Sequence, residues 1–238
     1  MQNQMPYCGP APTPADWLWA WNLDPFLILA LLVTFASGTI ALRNSDRKRQ
    51  KAFALVGFAT VVAFVSPLCA MSVALFSART IHHLVVFGAL APALAIAFPL
   101  VRVAIVPAFA ALSAVLWLWH MPAAYSAAWE SVAVYWLLQL ALILSAWALW
   151  SAVLQARDHR AIVWLVGLVG QMGLLGALLT FAQYPFYLEH LAHAERFGLS
   201  ALEDQQLAGL IMWVPGMVPV AIVAALLAWR LFREGLRA

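Results

Sequence analysis

The chain has 238 residues, 65% of them hydrophobic and only 10% charged, and its mean hydropathy is +0.89. A soluble domain would carry roughly a quarter charged residues, so this composition argues against one and provides apolar sequence for several membrane spans of about 20 residues each. The net charge of +3 is small, and the absence of a basic tract interleaved with aromatics argues against nucleic-acid binding.

The first 23 residues lack a basic start and an apolar core, so no cleavable signal is expected. No apolar stretch precedes Cys8-Gly9, which makes a poor lipidation site, and residues 1–24 read as a periplasmic arm. Asp24-Pro25 is a good helix opening, an N-cap followed by proline at the first helical position. Seven apolar segments follow, at about 25–42, 52–74, 79–99, 102–119, 131–154, 161–182 and 207–231. The fold expected is all-α: a polytopic seven-transmembrane-helix bundle over residues 25–232, with a tail at 233–238.

Alternation of these segments puts eleven of the thirteen Lys and Arg on one side, in Arg43–Lys51, at Arg102, in Arg157–Arg160 and from Arg230 onward. Only Arg79 and Arg196 fall on the other side. By the positive-inside rule the N-terminus is outside and the C-terminal tail cytoplasmic. Trp17, Trp19, Trp21, Trp117, Trp119, Trp129, Trp136 and Trp213 fall near the outer interface, and Trp147, Trp150, Trp164 and Trp229 near the inner one, as an aromatic belt requires. Gly167, Gly170, Gly173 and Gly176 read as a small-residue packing stripe. Pro67, Pro92, Pro107, Pro215 and Pro219 are expected to kink or end helices. The longest connection, 183–206, is outer, and its middle could form a short surface helix.

With this topology five of the six histidines fall on the outer side: His82 and His83 at the start of the third segment, His120 at the end of the fourth, and His190 and His193 in the long loop. Ionisable groups inside a bilayer are costly and mark function by default. Cys69, Met71, Met121, Met212 and Met217 bring sulfur to the same side. Imidazole with thiolate or thioether suits copper, Cu(I) above all; imidazole alone suits zinc or haem iron equally. The strongest ligand candidates are His83 and His120, then His82, with Met121, Met212 and Cys69 supplying sulfur. Blander readings stand beside these: interfacial hydrogen bonding for the histidines and core filling for the methionines. Arg79, one turn before His83, either binds an anionic group such as a haem propionate or carboxylate, or snorkels to the headgroups. Cys8 and Cys69 either form a disulfide or are kept apart because Cys69 lies too deep. The string EHLAH is not HExxH, and the chain has no GxSxG motif, so no enzyme is expected. Only Gln139 and Gln171 are clearly polar at mid-depth apart from Ser and Thr, a thin basis for the alternative reading as a transporter of copper or another small solute.

The motifs WNLDP at 21–25, SPL at 66–68, LFSA at 75–78, WHMP at 119–122 with Tyr125, and DQQLAGLIMWVPG at 204–216 resemble the CtaG family. That family comprises multi-spanning assembly factors of caa3-type cytochrome c oxidase. The resemblance runs in order over nearly the whole chain. It implies a bacterial plasma-membrane protein that helps mature a haem–copper oxidase, with oxidase subunits or other assembly factors as partners and copper delivery as the supposed role. The family pattern after LFSA is a histidine, three residues and a second histidine; here Arg79 takes the first place and His83 the second, and His82 replaces an intervening glutamine. A further histidine pair is usual where Tyr135 and Gln139 stand. His83 and His120 carry over directly, while a haem-binding protein with either as axial ligand remains the other reading.

Overall fold

The computed structural model describes residues 6–156 and 159–235. Arg157 of the expected cytoplasmic connection and residues 236–238 of the expected tail lie outside the described residues, as do residues 1–5 of the arm.

The chain is helical, and no strand occurs among the described residues. The helices are α1 (Pro25–Leu42), α2 (Arg47–Thr60), α3 (Pro67–Ala74), α4 (Phe76–Val85), α5 (Ala91–Ala97), α6 (Ile105–His120), α7 (Pro122–Glu130), α8 (Val132–Gln155), α9 (Arg160–Thr180), α10 (Leu191–Ala194) and α11 (Ala201–Gly235). Five helical stretches are long and apolar enough to cross a membrane, and the number reaches seven if each of two bent pairs is one span.

The expected start of α1 is observed: Asp24 accepts the Phe26 amide at 2.9 Å ahead of Pro25. Ser66 and Ser131 cap α3 and α8 in the same way. The second apolar segment is broken. Proline 67 has no amide to continue a helix, so Arg47–Val65 and Pro67–Ala74 meet at 42°. A second break lies between the fourth and fifth apolar segments, a stretch that the hydropathy pattern left unassigned: Pro122 opens α7, and α6 and α7 meet at 77°. Two wide π turns, Val61–Val65 and Val86–Leu90, interrupt the α2 and α4–α5 helices, and such turns often lie at functional sites.

The middle of the long connection is helical as expected, with a short α10 flanked by two 3₁₀ turns. The last helix begins at Ala201, before the expected 207, and runs through Pro215 and Pro219 without ending. Two tryptophans are core residues rather than belt residues. Trp119 and Trp150 are buried, and their indoles donate to the carbonyls of Leu138 and Phe87.

The main core joins α3 to α9 and α11, with α11 against α9 and α4, α6 against α8, and α5 against α2 and α8. Helix α1 is peripheral, with Phe26, Leu29, Leu32, Val33 and Ile40 exposed. The glycines of α9 do not form one stripe. Three-residue spacing rotates each by 60° from the last: Gly167 faces Phe109 of α6, Gly170 faces open space, and Gly173 and Gly176 face α11. At the α9–α11 contact a Cβ on Gly209 would lie 2.6 Å from the Gly176 carbonyl oxygen and 2.4 Å from Thr180 Oγ1. Gly209→Ala is therefore expected to lower stability by about 1–3 kcal/mol through overpacking, while Gly170→Ala is neutral or stabilising by up to about 1 kcal/mol. Denaturation of both variants in the same detergent checks the contrast.

Candidate metal and anion sites at the histidine end

The end of the bundle that carries the histidines is built from helix ends tied together by side chains. Asp204 of α11 is buried and accepts from the Phe76 amide (2.6 Å), the Ser77 amide (3.1 Å) and the Ser77 hydroxyl, so it caps α4 from another helix. Gln205 accepts from the Phe186 amide, and Gln206 donates to the Ala182 carbonyl. Asn22 donates through its amide and side chain to the carbonyls of Val65 and Phe64, at the break before Pro67. Tyr187 donates to the His120 carbonyl at 3.0 Å, at the break between α6 and α7.

His190 is buried within this frame. Its Nδ1 lies 3.2 Å from the Ala74 carbonyl, which can only accept, so Nδ1 carries the proton and Nε2 accepts from the Tyr125 hydroxyl at 2.7 Å. Both nitrogens are engaged, and His190 is a strut of the loop. Burial pushes its pKa down to about 3, against the opposing pull of the Ala74 carbonyl. Glu189 accepts from Ser126 beside it. His193 is half-buried, and its Nδ1 has no hydrogen-bond partner. His159 is exposed, at the start of α9.

The two leading ligand candidates meet. His83 and His120 line one small cavity, of about 20 Å³ for the centre of a water-sized sphere, together with Met212 and Met172. Met172, in α9, is buried and was missed by sequence reasoning, because a methionine inside an apolar run looks like core filler. His120 Nδ1 lies 2.7 Å from the Leu116 carbonyl, so it donates there and leaves Nε2 as a free lone pair. His83 Nε2 is buried without a hydrogen-bond partner, and its ring lies against Trp119 at 4.5 Å.

The other candidates stand apart. His82 is fully buried with both nitrogens unpartnered, edge-on to Phe64 at 5.1 Å, and does not line that cavity. Met121 is 52% exposed at the turn before α7 and is also off the cavity. Cys69 needs correction as a thiolate ligand: it is disulfide-bonded to Cys8, with Cα atoms 5.3 Å apart. Its depth is no obstacle because the arm folds in. Tyr7 stacks on Tyr135 at 5.1 Å and donates to Asp24 at 2.8 Å, which carries Cys8 to a buried position. Arg79 does not snorkel: it is 4% exposed, with its guanidinium carbon 5.5 Å from the centre of the Tyr135 ring. Arg79 and Tyr135, two positions at which the motif resemblance expects histidine, are therefore neighbours in space. Gln139, the third, is buried one turn further along α8 with both amide atoms unpartnered.

A bundle of long apolar helices with a buried polar cluster at one end defines a multi-pass membrane protein. The family model of the cytochrome c oxidase caa3 assembly factor, Caa3_CtaG, matches residues 33–234, and the chain belongs to that family. Neither the curated proteins nor the solved structures yield a match.

Two predictions follow from the frame. Asp204→Ala leaves two backbone amides at the start of α4 without their acceptor and is expected to cost about 1–3 kcal/mol for each buried group in thermal or denaturant unfolding. His190 binds fewer protons folded than unfolded between about pH 3 and its ordinary 6.5. The docked loop is therefore firmest above about pH 6.5 and loosens as the pH falls toward 3. Hydrogen exchange over residues 186–197 should show this loosening, and His190→Gln should abolish it while His193→Gln leaves it in place.

Proposed function

We propose that the protein matures a haem–copper oxidase by carrying Cu(I) as cargo in the cavity between His83, His120, Met172 and Met212. The carrying observation is the meeting of two imidazoles and two thioethers from α4, α6, α9 and α11 around one small space. Among the described residues no group of three or more His, Cys, Asp and Glu is placed to hold a metal ion. A site there must therefore use thioether sulfur, and a mixed imidazole–thioether set suits Cu(I) better than zinc. The small volume disfavours haem, since a macrocycle would need the surrounding helices to repack. The transport reading loses its mid-depth path: Gln171 is a clasp between α9 and α6, bonded to Ser113 and Trp117, which leaves Gln139 alone.

The proposed topology has seven spans with each bent pair counted as one, in a bacterial plasma membrane, N-terminus outside. The Cys8–Cys69 disulfide supports that orientation independently of the basic residues, because such bonds persist in oxidising compartments. The partners are oxidase subunits or other assembly factors at the outer face, and no catalytic turnover is required.

Competition titration of the purified protein with a Cu(I) chelator tests the site. His83→Ala and His120→Ala are expected to weaken Cu(I) binding by at least about 10- to 100-fold, Met172→Leu and Met212→Leu to weaken it less, and Met121→Leu to leave it unchanged. Equal affinity in the wild type and both histidine variants would sink the assignment.

A further inference from the structure

A second polar cavity lies on the other side of Trp119, beneath the N-terminal arm. Arg79 opens onto it, with Tyr7 of the arm, Trp119, Tyr125, Trp129 and Tyr135 around it. It admits the centre of a water-sized sphere over about 10 Å³, room for one small particle. The guanidinium Nε and Nη1 are buried and lack hydrogen-bond partners.

The nearby acids do not fill this need. No carboxylate among the described residues pairs with Arg79: Asp24 accepts from Tyr7, Asp204 from the start of α4, and Glu189 from Ser126. The Tyr135 ring offers a cation–π contact, and the Tyr125 and Tyr135 side chains both lie near the guanidinium, yet Nε and Nη1 keep no hydrogen-bond partner. A permanently charged guanidinium cannot shed its proton to escape burial, so it requires an opposite charge. A buried, always-charged group with unfilled donors, facing a space of one-particle size, is a receptor for a small anion.

We infer that Arg79 holds a monatomic anion of halide size in this cavity, shut in by Tyr7 and the disulfide-anchored arm. The volume, about that of one water, excludes carboxylates and phosphates, and a halide fills it with a slight outward shift of the aromatic walls. The aromatic walls turn electropositive ring edges toward an anion, and the Tyr135 hydroxyl is a further donor, since those of Tyr7 and Tyr125 already donate to Asp24 and His190.

The test uses the full-length protein in detergent and compares its unfolding midpoint in potassium chloride, bromide and gluconate at equal ionic strength. A ligand that binds only the folded state raises the midpoint saturably. The wild type is expected to unfold a few degrees higher in chloride and bromide than in gluconate, and Arg79→Gln to show no difference between the salts. Arg79→Lys should keep a weakened halide response, because the charge remains without the planar donors. Absence of a halide response in the wild type overturns the inference even if Arg79→Gln fails to fold, and so does a response that persists unchanged in Arg79→Gln. Cu(I) affinity is read separately, so failure of the copper site leaves this result standing.

Discussion

Backbone polar groups released inside an apolar bundle must find protein partners, because lipid offers none. This constraint organises the whole histidine end. The helices break at Ser66 and between Ala74 and Phe76, and turn sharply at Met121; each interruption frees amides or carbonyls, and a side chain from elsewhere in the sequence takes them up. Asn22 serves Phe64 and Val65, His190 serves Ala74, Asp204 serves Phe76 and Ser77, and Tyr187 serves His120. Trp150 does the same for Phe87 inside a π turn. The motifs that carry the family resemblance are largely these brackets. Their specificity comes from joining broken helices, and the ligand candidates sit in the space that the brackets enclose.

Against that background the unsatisfied groups stand out. Arg79, His82, His83 and Gln139 keep buried polar atoms without partners, whereas in the surrounding frame only His193 Nδ1 does so among the described residues. Native proteins leave few such atoms, and each calls for a reason such as an ion, water or ligand. Two of them line cavities, His83 toward the methionines and Arg79 toward the tyrosines and the arm, while His82 and Gln139 line neither. One side offers soft lone pairs and the other a fixed positive charge, so the two proposed ligands, of opposite sign, would not compete for the same groups.

Most of the helical framework was legible in the sequence. The apolar segments coincide with helices to within a few residues, since a bilayer demands length and hydropathy and both are written locally. The break at Pro67 and the cap at Asp24 were equally local. What escaped was non-local. The distance of Met172 from His83 in sequence hid its place in the cavity, and neither Trp119 nor Trp150 advertised that a carbonyl in another segment would claim its indole. Helix α7 was missed because nine residues are too few for a hydropathy signal, although Pro122 marked its start. The pairing of Cys8 with Cys69 depended on the path of an arm with no periodic pattern, which Tyr7 and Asn22 fix by contacts at long range.

The glycine contact between α9 and α11 also determines where the molecule can bend. With Gly176 and Gly209 seated backbone to backbone, sliding or rolling of either helix at this point would drive main-chain atoms together, so the contact locks the register of α9 against α11. The elements across the cavity differ: α2–α3 and α6–α7 are jointed, and both α2 and α4–α5 contain π turns. The four residues of the proposed site are thus held differently: Met172 and Met212 stand on the helix pair locked by the glycine contact, and His120 stands at the joint between α6 and α7.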